Sequence, residues 1–232
     1  MQPLLPTVFV VDDDPSFCRA VERLLRSYGH RVEAYASPTE FIARWRPEQP
    51  GCLLLDMTMP ELPGLEVQRL VGAANPPMPI VFISGHSDVE SCVRAMRSGA
   101  TDFLLKPFHE EELLAAVGRA LARDQEQRRS LTELREMGYR LASLTPREAE
   151  VFRLVAKGML NKQIAAVLGT KEGTVKMHRG HVMRKLELGS VAELVTFADR
   201  LRLDDPCPSL HARAGRYRPE VTGERLAMGA PT

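Results

Sequence analysis

The sequence contains few cysteines and no long run of apolar residues. Its four cysteines stand singly among 232 residues, without a CxxC pair, so neither a disulfide framework nor a zinc site is predicted. No stretch approaches the ~18 consecutive apolar residues of a membrane span. The chain start also lacks the basic and apolar pattern of a secretory signal, so we expect a cytoplasmic protein without a membrane partner. The hydrophobic (44%) and charged (26%) fractions exclude wholesale disorder.

The length suits two domains of modest size, and the charge is divided unequally between the two halves. The net charge of the chain is +1, but residues 1–143 carry −4, residues 144–203 carry +5, and residues 204–232 are neutral. An acidic first half and a basic second half indicate different partners. A polyanion is a plausible partner for the second half.

The first half alternates short apolar runs with amphipathic segments. Strands that are apolar throughout are typical of a parallel sheet covered on both faces. We therefore predict an α/β fold with a doubly wound, five-stranded parallel sheet, whose ligands gather at the carboxyl ends of the strands. The predicted strands are Thr7–Val11, Arg31–Tyr35, Cys52–Leu55, Pro79–Ile83 and Asp102–Leu105, and the predicted helices are Pro15–Tyr28, Pro38–Trp45, Leu65–Ala73, Val89–Ser98 and one that begins near Glu110.

The helical pattern continues far beyond Glu110. Residues 124–130 are almost wholly polar, and a narrow leucine stripe then resumes. We predict a domain over residues 5–122 and a helical linker over residues 123–143. The linker pattern fits either a short coiled coil or a solvated tether without pairing.

The second half is predicted to be a small all-α domain over residues 144–203. Thr145, Pro146 and Glu148 form the start signal of a helix, with an N-cap, a first-turn proline and a capping-box partner. Residues 204–232 are rich in Pro, Gly and Arg, and we predict a disordered tail. The predicted helices are Pro146–Lys157, Lys162–Leu168, Glu172–Leu186 and Ser190–Leu201.

Acidic side chains follow two strands that neighbour each other in a doubly wound sheet. Asp12 and Asp13 come directly after the first strand, and Asp56 follows the third. Clustered carboxylates repel one another unless a cation lies among them. Because Mg²⁺ prefers oxygen ligands and retains waters, we expect magnesium as a cofactor at this edge.

Two further polar residues are expected at the same edge. Ser84 ends the fourth strand and Lys106 follows the fifth. A lysine beside carboxylates can be a plain ion pair. With a hydroxyl and a metal also present, the set is typical of a phosphoryl site, in which Asp56 is the nucleophile and Lys106 and Ser84 contact phosphoryl oxygens.

Four segments of the first half resemble the receiver domain of bacterial two-component response regulators. They read Val10-Val-Asp-Asp-Asp-Pro15, Leu54-Leu-Asp-Met-Thr-Met-Pro60, Ile83-Ser-Gly-His86 and Phe103-Leu-Leu-Lys-Pro-Phe108. The resemblance implies a flavodoxin-like sheet with strand order 2-1-3-4-5. It also implies that a sensor histidine kinase transfers a phosphoryl group to Asp56.

The resemblance further implies roles for the residues around Asp56. Mg²⁺ would be bound by Asp13, by Asp56 and by the backbone carbonyl of Thr58, while Asp12 would hold it through water. Ser84 and Phe103 occupy the two switch positions of the family. Since phenylalanine has no hydroxyl, the role of Phe103 must be steric. The Lys106–Pro107 peptide bond is expected to be cis.

The second half contains a helix, a tight turn and a basic helix. A basic helix can simply be a solvated face, but after a short helix and a turn it indicates a recognition helix for a DNA major groove. The inner face is predicted to consist of Ile164, Ala165, Leu168, Val175, Val182 and Leu186, and the outward residues are Lys176, Arg179, Arg184 and Lys185, with His178 and His181 beside them.

The span from Leu144 to Leu201 resembles the DNA-binding domain of NarL/FixJ (LuxR-type) regulators. The match is carried by Leu144-Thr-Pro-Arg-Glu148, Gly158 to Ala166, Thr174-Val-Lys-Met-His178 and Lys185-Leu186. Two glycines, Gly173 and Gly180, are unusual for this helix, and we expect fewer base contacts or a looser helix there. The resemblance implies phosphate contacts from Lys162, Thr174 and His178 and contacts to bases or adjacent phosphates from Lys176, Met177 and Arg179. Lys171 is a further predicted DNA-binding residue, and the last helix would form a dimer contact.

Together these features predict a response regulator rather than an enzyme. Phosphorylation of Asp56 is expected to promote dimerisation and binding to two-fold promoter DNA, activating transcription, with RNA polymerase as a further partner. One alternative is a phosphatase of the haloacid dehalogenase type. That class places its nucleophile after the first strand as DxDx[TV], whereas here Asp12-Asp-Asp-Pro15 stands there. A second alternative keeps the receiver and makes the helical half a protein- or RNA-binding module.

Overall fold

The computed structural model describes residues 5–85 and 89–201, which form two compact units divided after Leu131. The predicted tail, 204–232, lies outside the described residues. Among those described, Cys18, Cys52 and Cys92 are free thiols. Within the same ranges, no helix combines the length and the apolar character needed to cross a membrane.

The first unit is a parallel sheet with helices on both faces, which confirms the predicted α/β fold. The strand order is β2-β1-β3-β4-β5, and every pair of neighbours is parallel. Each boundary lies within about two residues of its predicted position. The elements are β1 (Thr7–Val11), α1 (Pro15–Ser27), β2 (Arg31–Tyr35), α2 (Pro38–Arg44), β3 (Gly51–Asp56), α3 (Gly64–Gly72), β4 (Ile80–Ser84), α4 (Val89–Arg97), β5 (Asp102–Leu105) and α5 (Glu110–Ala142).

Alternate residues of the central strands enter two different apolar cores. Val8 and Val10 of β1 pack in one core with residues of α1 and α5. Phe9 and Val11 pack in the other core with residues of α2, α3 and α4. Because both faces of the sheet are covered, β1 and β3 are apolar at nearly every position, as the sequence pattern predicts.

Local signals in the sequence start the helices of this unit. The side chain of Asp14 caps α1 by accepting a hydrogen bond from the Ser16 N–H at 2.8 Å, and Ser37 caps α2 in the same way. Each cap is followed by a proline in the first turn, where no N–H partner is required. The short loop between β1 and α1 therefore has a fixed geometry, which matters because it carries the acidic residues.

Helix α5 is longer than the helices before it, and its first part packs against the first unit. Leu113 and Val117 pack against the sheet, and further along Asp124 is only 2% exposed. Asp124 accepts hydrogen bonds from the Gly51 N–H at 3.0 Å and from Arg128. Within the polar run of residues 124–130, Asp124 is therefore buried and supplies the acceptor for a backbone donor of β3. Both alternatives for the linker over residues 123–143, a short coiled coil and a solvated tether, stay predictions.

The second unit is a bundle of short helices, as predicted. Its core includes Val151, Phe152, Ile164 and Leu186, and Met137 from the last part of α5 packs with them. The predicted start signal is confirmed, since the Thr145 N–H donates to Glu148 Oε2 at 2.8 Å and the Glu148 N–H donates to the Thr145 hydroxyl. The helices are α6 (Pro146–Ala156), α7 (Asn161–Val167), α8 (Glu172–Leu186) and α9 (Val191–Arg200).

Candidate functional site

The carboxyl ends of β1, β3 and β5 bring Asp12, Asp56 and Lys106 together. The lysine ammonium lies 2.6 Å from Asp12 Oδ2 and 3.0 Å from Asp56 Oδ1, and it donates a hydrogen bond to each. Both carboxylates are buried, at 2% and 6% exposure. The three residues are distant in sequence, and parallel pairing with β3 between β1 and β4 makes them neighbours. The predicted edge site therefore exists for these three side chains.

Backbone donors hold the remaining oxygens of the two carboxylates. The Asp14 N–H donates to Asp12 Oδ1 at 2.9 Å, and the Thr58 N–H donates to Asp56 Oδ2 at 2.7 Å. Burial raises the pKa of Asp12, against the opposing effects of Lys106 and the Asp14 N–H. Burial would lower the pKa of Lys106, but hydrogen bonds to both carboxylates outweigh it and raise that pKa. At neutral pH the lysine is therefore a cation held within the acidic site.

The other predicted residues of this site lie around that centre. Ser84 is the last residue of β4 and is 3% exposed. Phe103 is half-buried on β5 and packs against the core of the first unit that contains Phe9 and Val11. Asp13 and the Thr58 side chain are exposed at the rim. The Lys106–Pro107 bond is cis, as the resemblance implies.

The residues at this rim fit a hard divalent cation in part. Their donors are carboxylate and carbonyl oxygens, which Mg²⁺ prefers. Lys106 bridges Asp12 and Asp56, while Asp13 takes no part in that bridge. Over the described ranges, no three His, Cys, Asp or Glu side chains form a ready metal cluster. The assignment of Asp13, Asp56 and the Thr58 carbonyl as magnesium ligands, which the resemblance implies, stays a prediction.

Two aromatic residues support the lysine, and the sequence pattern did not reveal them as part of the site. The Lys106 ammonium lies 3.9 Å from the centre of the Phe17 ring, within the range of a cation–π interaction. Phe17 in turn meets the Phe108 ring edge-on at 6.0 Å. Phe17 belongs to the predicted helix Pro15–Tyr28, and the sequence pattern gives it no role at the site. Its position two residues after Pro15, near the acidic loop, was the available signal.

In the second unit, α7 and α8 form the predicted helix-turn-helix. Five of the six predicted inner residues are buried, and Leu168 is half-buried. Helix α8 continues unbroken through Gly173 and Gly180, and the expectation of fewer base contacts or a looser helix stays a prediction. Of the predicted DNA-contacting residues, Lys162, Lys171, Lys176 and Met177 are exposed, while Thr174, His178 and Arg179 are half-buried.

Two basic residues of α8 predicted to point outward have partners within the unit. Lys185 donates to Glu148 Oε2 at 2.6 Å and to the Ser143 carbonyl, so its outward orientation was wrong. Glu148 is 4% exposed, and the buried carboxylate of the capping box requires a cation. Burial opposes ionisation of Glu148, but hydrogen bonds from Lys185 and Thr145 lower its pKa to about 2. Arg179 donates to Asn161 Oδ1 at 3.1 Å.

Comparison with known families agrees with both units. The model of the response regulator receiver domain matches residues 8–118, and that of bacterial regulatory proteins of the luxR family matches residues 142–198. Nodulation protein W of Bradyrhizobium diazoefficiens is 44% identical over 84% of this chain and 86% of its own length. The chain belongs to the NarL/FixJ family of response regulators. It is a two-component transcription regulator with a receiver and a LuxR-type DNA-binding domain, and its family is not one of classical enzymes.

Other members of the family match a similar share of this chain. The transcriptional regulatory protein FixJ of Azorhizobium caulinodans is 38% identical over 82% of this chain and 90% of its own length. Among solved structures, response regulator StyR is 44% identical and matches with a TM-score of 0.74 over 84% of this chain and 99% of that chain. A receiver implies a histidine kinase as partner, and a luxR-family domain implies DNA.

Proposed function

We propose that Asp56 is the phosphoacceptor of this regulator. Support comes from one arrangement in particular, the Lys106 ammonium between Asp12 Oδ2 and Asp56 Oδ1 at the carboxyl ends of the strands. A carboxylate that accepts a phosphoryl group needs fixed positive charge where negative charge accumulates. Lys106 supplies such a charge, and the Thr58 N–H fixes the orientation of the Asp56 carboxylate.

The transfer exchanges one phosphorus bond for another. A carboxylate oxygen of Asp56 attacks the phosphorus of a phosphohistidine on the sensor kinase, the P–N bond breaks, and a P–O bond forms. The electron pair of the broken bond stays on the imidazole nitrogen of the kinase. Lys106 remains protonated throughout and follows the negative charge from the carboxylate to the phosphoryl oxygens.

Asp13, Asp56 and the Thr58 carbonyl would hold magnesium, which would supply positive charge for the phosphoryl oxygens. Asp12 contributes differently, because its side chain is buried and already pairs with Lys106 at 2.6 Å. In this proposal Asp12 keeps the lysine in position and, as the resemblance implies, would hold the metal through water. The two carboxylates therefore have separate roles, with one positioning the cation and the other reacting.

Phosphorylation is proposed to act through Ser84 and Phe103. A phosphoryl group adds charge and acceptor oxygens at Asp56, which attract the Ser84 hydroxyl at the end of the adjacent strand. Movement of Ser84 leaves space into which the half-buried ring of Phe103 can turn. The surface of α4 and β5 then changes shape, and we propose that this change promotes dimerisation.

The output is proposed to be sequence-specific binding of two-fold promoter DNA through α8. Lys176 and Met177 are exposed on this helix, and Lys162 and Lys171 are exposed close to it in sequence. Phosphate contacts would place the helix, and contacts to base edges would select the sequence. We propose that the bound dimer activates transcription together with RNA polymerase, in the cytoplasm, where promoter DNA lies. The receiver, linker and DNA-binding segments are proposed to be residues 5–122, 123–143 and 144–203.

Phosphorylation is tested by incubating the full-length chain with Mg²⁺ and acetyl phosphate, followed by peptide mass spectrometry. We expect the mass gain of one phosphoryl group on the peptide that contains Asp56. Asp56→Asn should abolish the gain, and chelation of magnesium should greatly slow it. A modified peptide elsewhere, with Asp56 unmodified, would contradict the proposal.

Output is tested separately by gel shift and light scattering with and without beryllofluoride, using a duplex selected by the chain from a random-sequence library. We expect a dimer and tighter binding in the presence of beryllofluoride. Lys176→Glu should abolish duplex binding with the fold intact, which would argue against a protein- or RNA-binding module. Equal affinity and equal oligomeric state under both conditions would refute a phosphorylation switch.

A further inference from the structure

The basic residues of α8 differ in their exposure and in whether they already pair with another residue of the unit. Lys185 is committed to Glu148 within the unit. Lys176 and Arg184 are exposed. Arg179 belongs to neither group, because its side chain is half-buried and its Nη1 donates to a neutral acceptor, the side-chain oxygen of Asn161, at 3.1 Å. A neutral acceptor holds a guanidinium without cancelling its charge, so Arg179 stays available to an anion.

Asn161 is placed to serve Arg179 rather than its own helix. Asparagine near a helix start ordinarily accepts a hydrogen bond from the backbone of the first turn. At the start of α7 no side chain among the described residues caps the N–H groups of the first turn, and the N–H of the N-cap residue Leu160 donates to Gln163 Oε1 at 2.8 Å. Asn161 lies one residue inside the helix. Its oxygen is therefore directed at the second helix of the helix-turn-helix.

The hydrogen bond is not required to hold α7 and α8 together. Ile164 and Ala165 of α7 share a buried core with Val175 and Val182 of α8. Against that apolar contact, a single half-exposed hydrogen bond adds little to the stability of the helix pair. Its larger effect is on Arg179 itself, a long side chain that would otherwise sample many rotamers.

Arginine carries five N–H donors in a planar fork, and the bond to Asn161 uses one of them at Nη1. The donors at Nε and Nη2 remain for a phosphate or for a guanine edge. Fixing the guanidinium in advance avoids part of the entropy that would be lost on binding, an effect of about two- to tenfold in affinity for one side chain.

We infer that Asn161 is a positioning residue, whose amide oxygen orients the guanidinium of Arg179 for a phosphate or base edge of duplex DNA. The inference rests on the proposed DNA binding and adds to it a residue of α7 that acts through another side chain. It separates the basic residues of α8 into Lys185, which stabilises the fold, and Arg179, which is oriented for the ligand.

A double-mutant cycle on the full-length chain tests this inference. The variants are Asn161→Ala, Arg179→Ala and the double substitution, and the measurement is fluorescence anisotropy with the selected duplex. We expect Asn161→Ala to weaken binding about two- to tenfold and Arg179→Ala to weaken it about tenfold or more. In the Arg179→Ala background, Asn161→Ala should have no further effect, because the residue it positions is gone.

The salt dependence identifies what Arg179 contacts. If the contact is a phosphate, Arg179→Ala should reduce the slope of log affinity against log salt by about one, uniformly over sequences. If the contact is a base edge, the loss should fall mainly on the selected sequence. Asn161→Ala should leave the slope unchanged in either case, since it removes no charge.

Gln163→Ala is the matched control, because it removes an amide that caps the same helix without reaching Arg179. We expect Gln163→Ala to show no coupling to Arg179→Ala. Asn161→Ser keeps a residue that is favoured at helix starts, so it tests whether misfolding explains the effect of Asn161→Ala. We expect it to behave like Asn161→Ala. Additive effects of Asn161→Ala and Arg179→Ala, or no effect of Arg179→Ala, would overturn the inference while DNA binding stands. A wild-type chain that binds no duplex would instead refute the proposed function.

Discussion

At the scale of single residues, Lys106 connects the two buried carboxylates of the receiver site, Asp12 and Asp56. It is 24% exposed and faces two carboxylates that are almost fully buried. We predict that Lys106→Ala, in the presence of a chelator, lowers the free energy of unfolding by about 2–3 kcal/mol, because Asp12 and Asp56 lose their shared cation. Urea unfolding followed by the fluorescence of Trp45, the single tryptophan, measures this. The exposed Arg23→Ala, in the same unit, is the control, and equal stability of both variants would contradict the prediction.

Glu148 makes the stability of the second unit depend on pH. Its pKa in the folded chain is about 2, below the ordinary value of 4.5. A lowered pKa means that the ionised form contributes stability above about pH 4.5 and that this contribution is lost as the pH falls from about 4.5 to about 2. Allowing for solvent screening at the edge of a small bundle, we expect about 1–2 kcal/mol.

We therefore predict that Glu148→Gln lowers stability at neutral pH and flattens its pH dependence between about pH 5 and pH 2. Thermal unfolding followed by circular dichroism reports both units, and Trp45 fluorescence reports the first unit alone. The effect should appear only in the circular dichroism signal. Glu150→Gln is the control, since Glu150 pairs with Arg147 at the surface. An equal flattening in both variants would show that Glu148 is not the group responsible.

At the scale of elements, the extension of α5 is tied to the sheet by a buried ion pair. Asp124 accepts from the Gly51 N–H at the start of β3, and Arg128 donates to Asp124 and to the carbonyls of Pro47 and Gln49. Burial raises the pKa of Asp124, against the opposing effect of Arg128. The end of β3 opposite Asp56 is thus held by α5.

We predict that Asp124→Ala destabilises the first unit by about 2–3 kcal/mol, because the Gly51 N–H and the Arg128 guanidinium lose their acceptor. It should also increase amide hydrogen exchange over the second half of α5. Mass spectrometry of peptides detects this, and Trp45 fluorescence should change because Trp45 adjoins the loop that Arg128 holds. Glu126→Ala, at an exposed position two residues away, should cost less than about 0.5 kcal/mol. Unchanged exchange in Asp124→Ala would mean that α5 holds its position without the pair.

How much of the fold and the site could be predicted from the sequence depends on how far apart in sequence the interacting residues are. Helix starts at Asp14, Ser37 and Thr145 are determined by neighbouring residues, so pattern alone placed them well. The convergence of Asp12, Asp56 and Lys106 was also predictable, since it follows from strand order. The bond from the Gly51 N–H to Asp124 and the pairing of Lys185 with Glu148 were not, because each joins groups far apart in sequence whose need for an acceptor or a cation is visible only after folding.

Gly51 illustrates the same limit at one position. It adopts φ +153°, and a Cβ there would lie 1.9 Å from the Thr7 carbonyl oxygen. Only glycine permits this close approach of β3 to β1. The sequence showed a glycine before an apolar run and indicated a strand start one residue later. The close contact that requires the glycine depends on the pairing of two strands and could not be read from the local pattern.

At the scale of the whole molecule, the acidic and basic halves have different proposed roles, phosphorylation and DNA binding. Residues 1–143 carry a net charge of −4 and contain the proposed phosphoacceptor, Asp56, while residues 144–203 carry +5 and contain α8. Phosphorylation therefore adds negative charge to the half that does not bind DNA in the proposed function. Any gain in DNA affinity must come from a change of assembly or exposure, since new charge attraction at the helix is not available.

This division predicts how the salt dependence of DNA binding changes on activation. Each phosphate neutralised by the protein contributes about −0.9 to the slope of log affinity against log salt. If beryllofluoride converts a monomer with one bound α8 into a dimer with two, the slope should about double. Anisotropy titrations of the selected duplex over a range of salt concentrations measure both states, with Asp56→Ala as a control that should keep the smaller slope. Tighter binding with an unchanged slope would mean that activation exposes α8 without pairing two copies of the regulator.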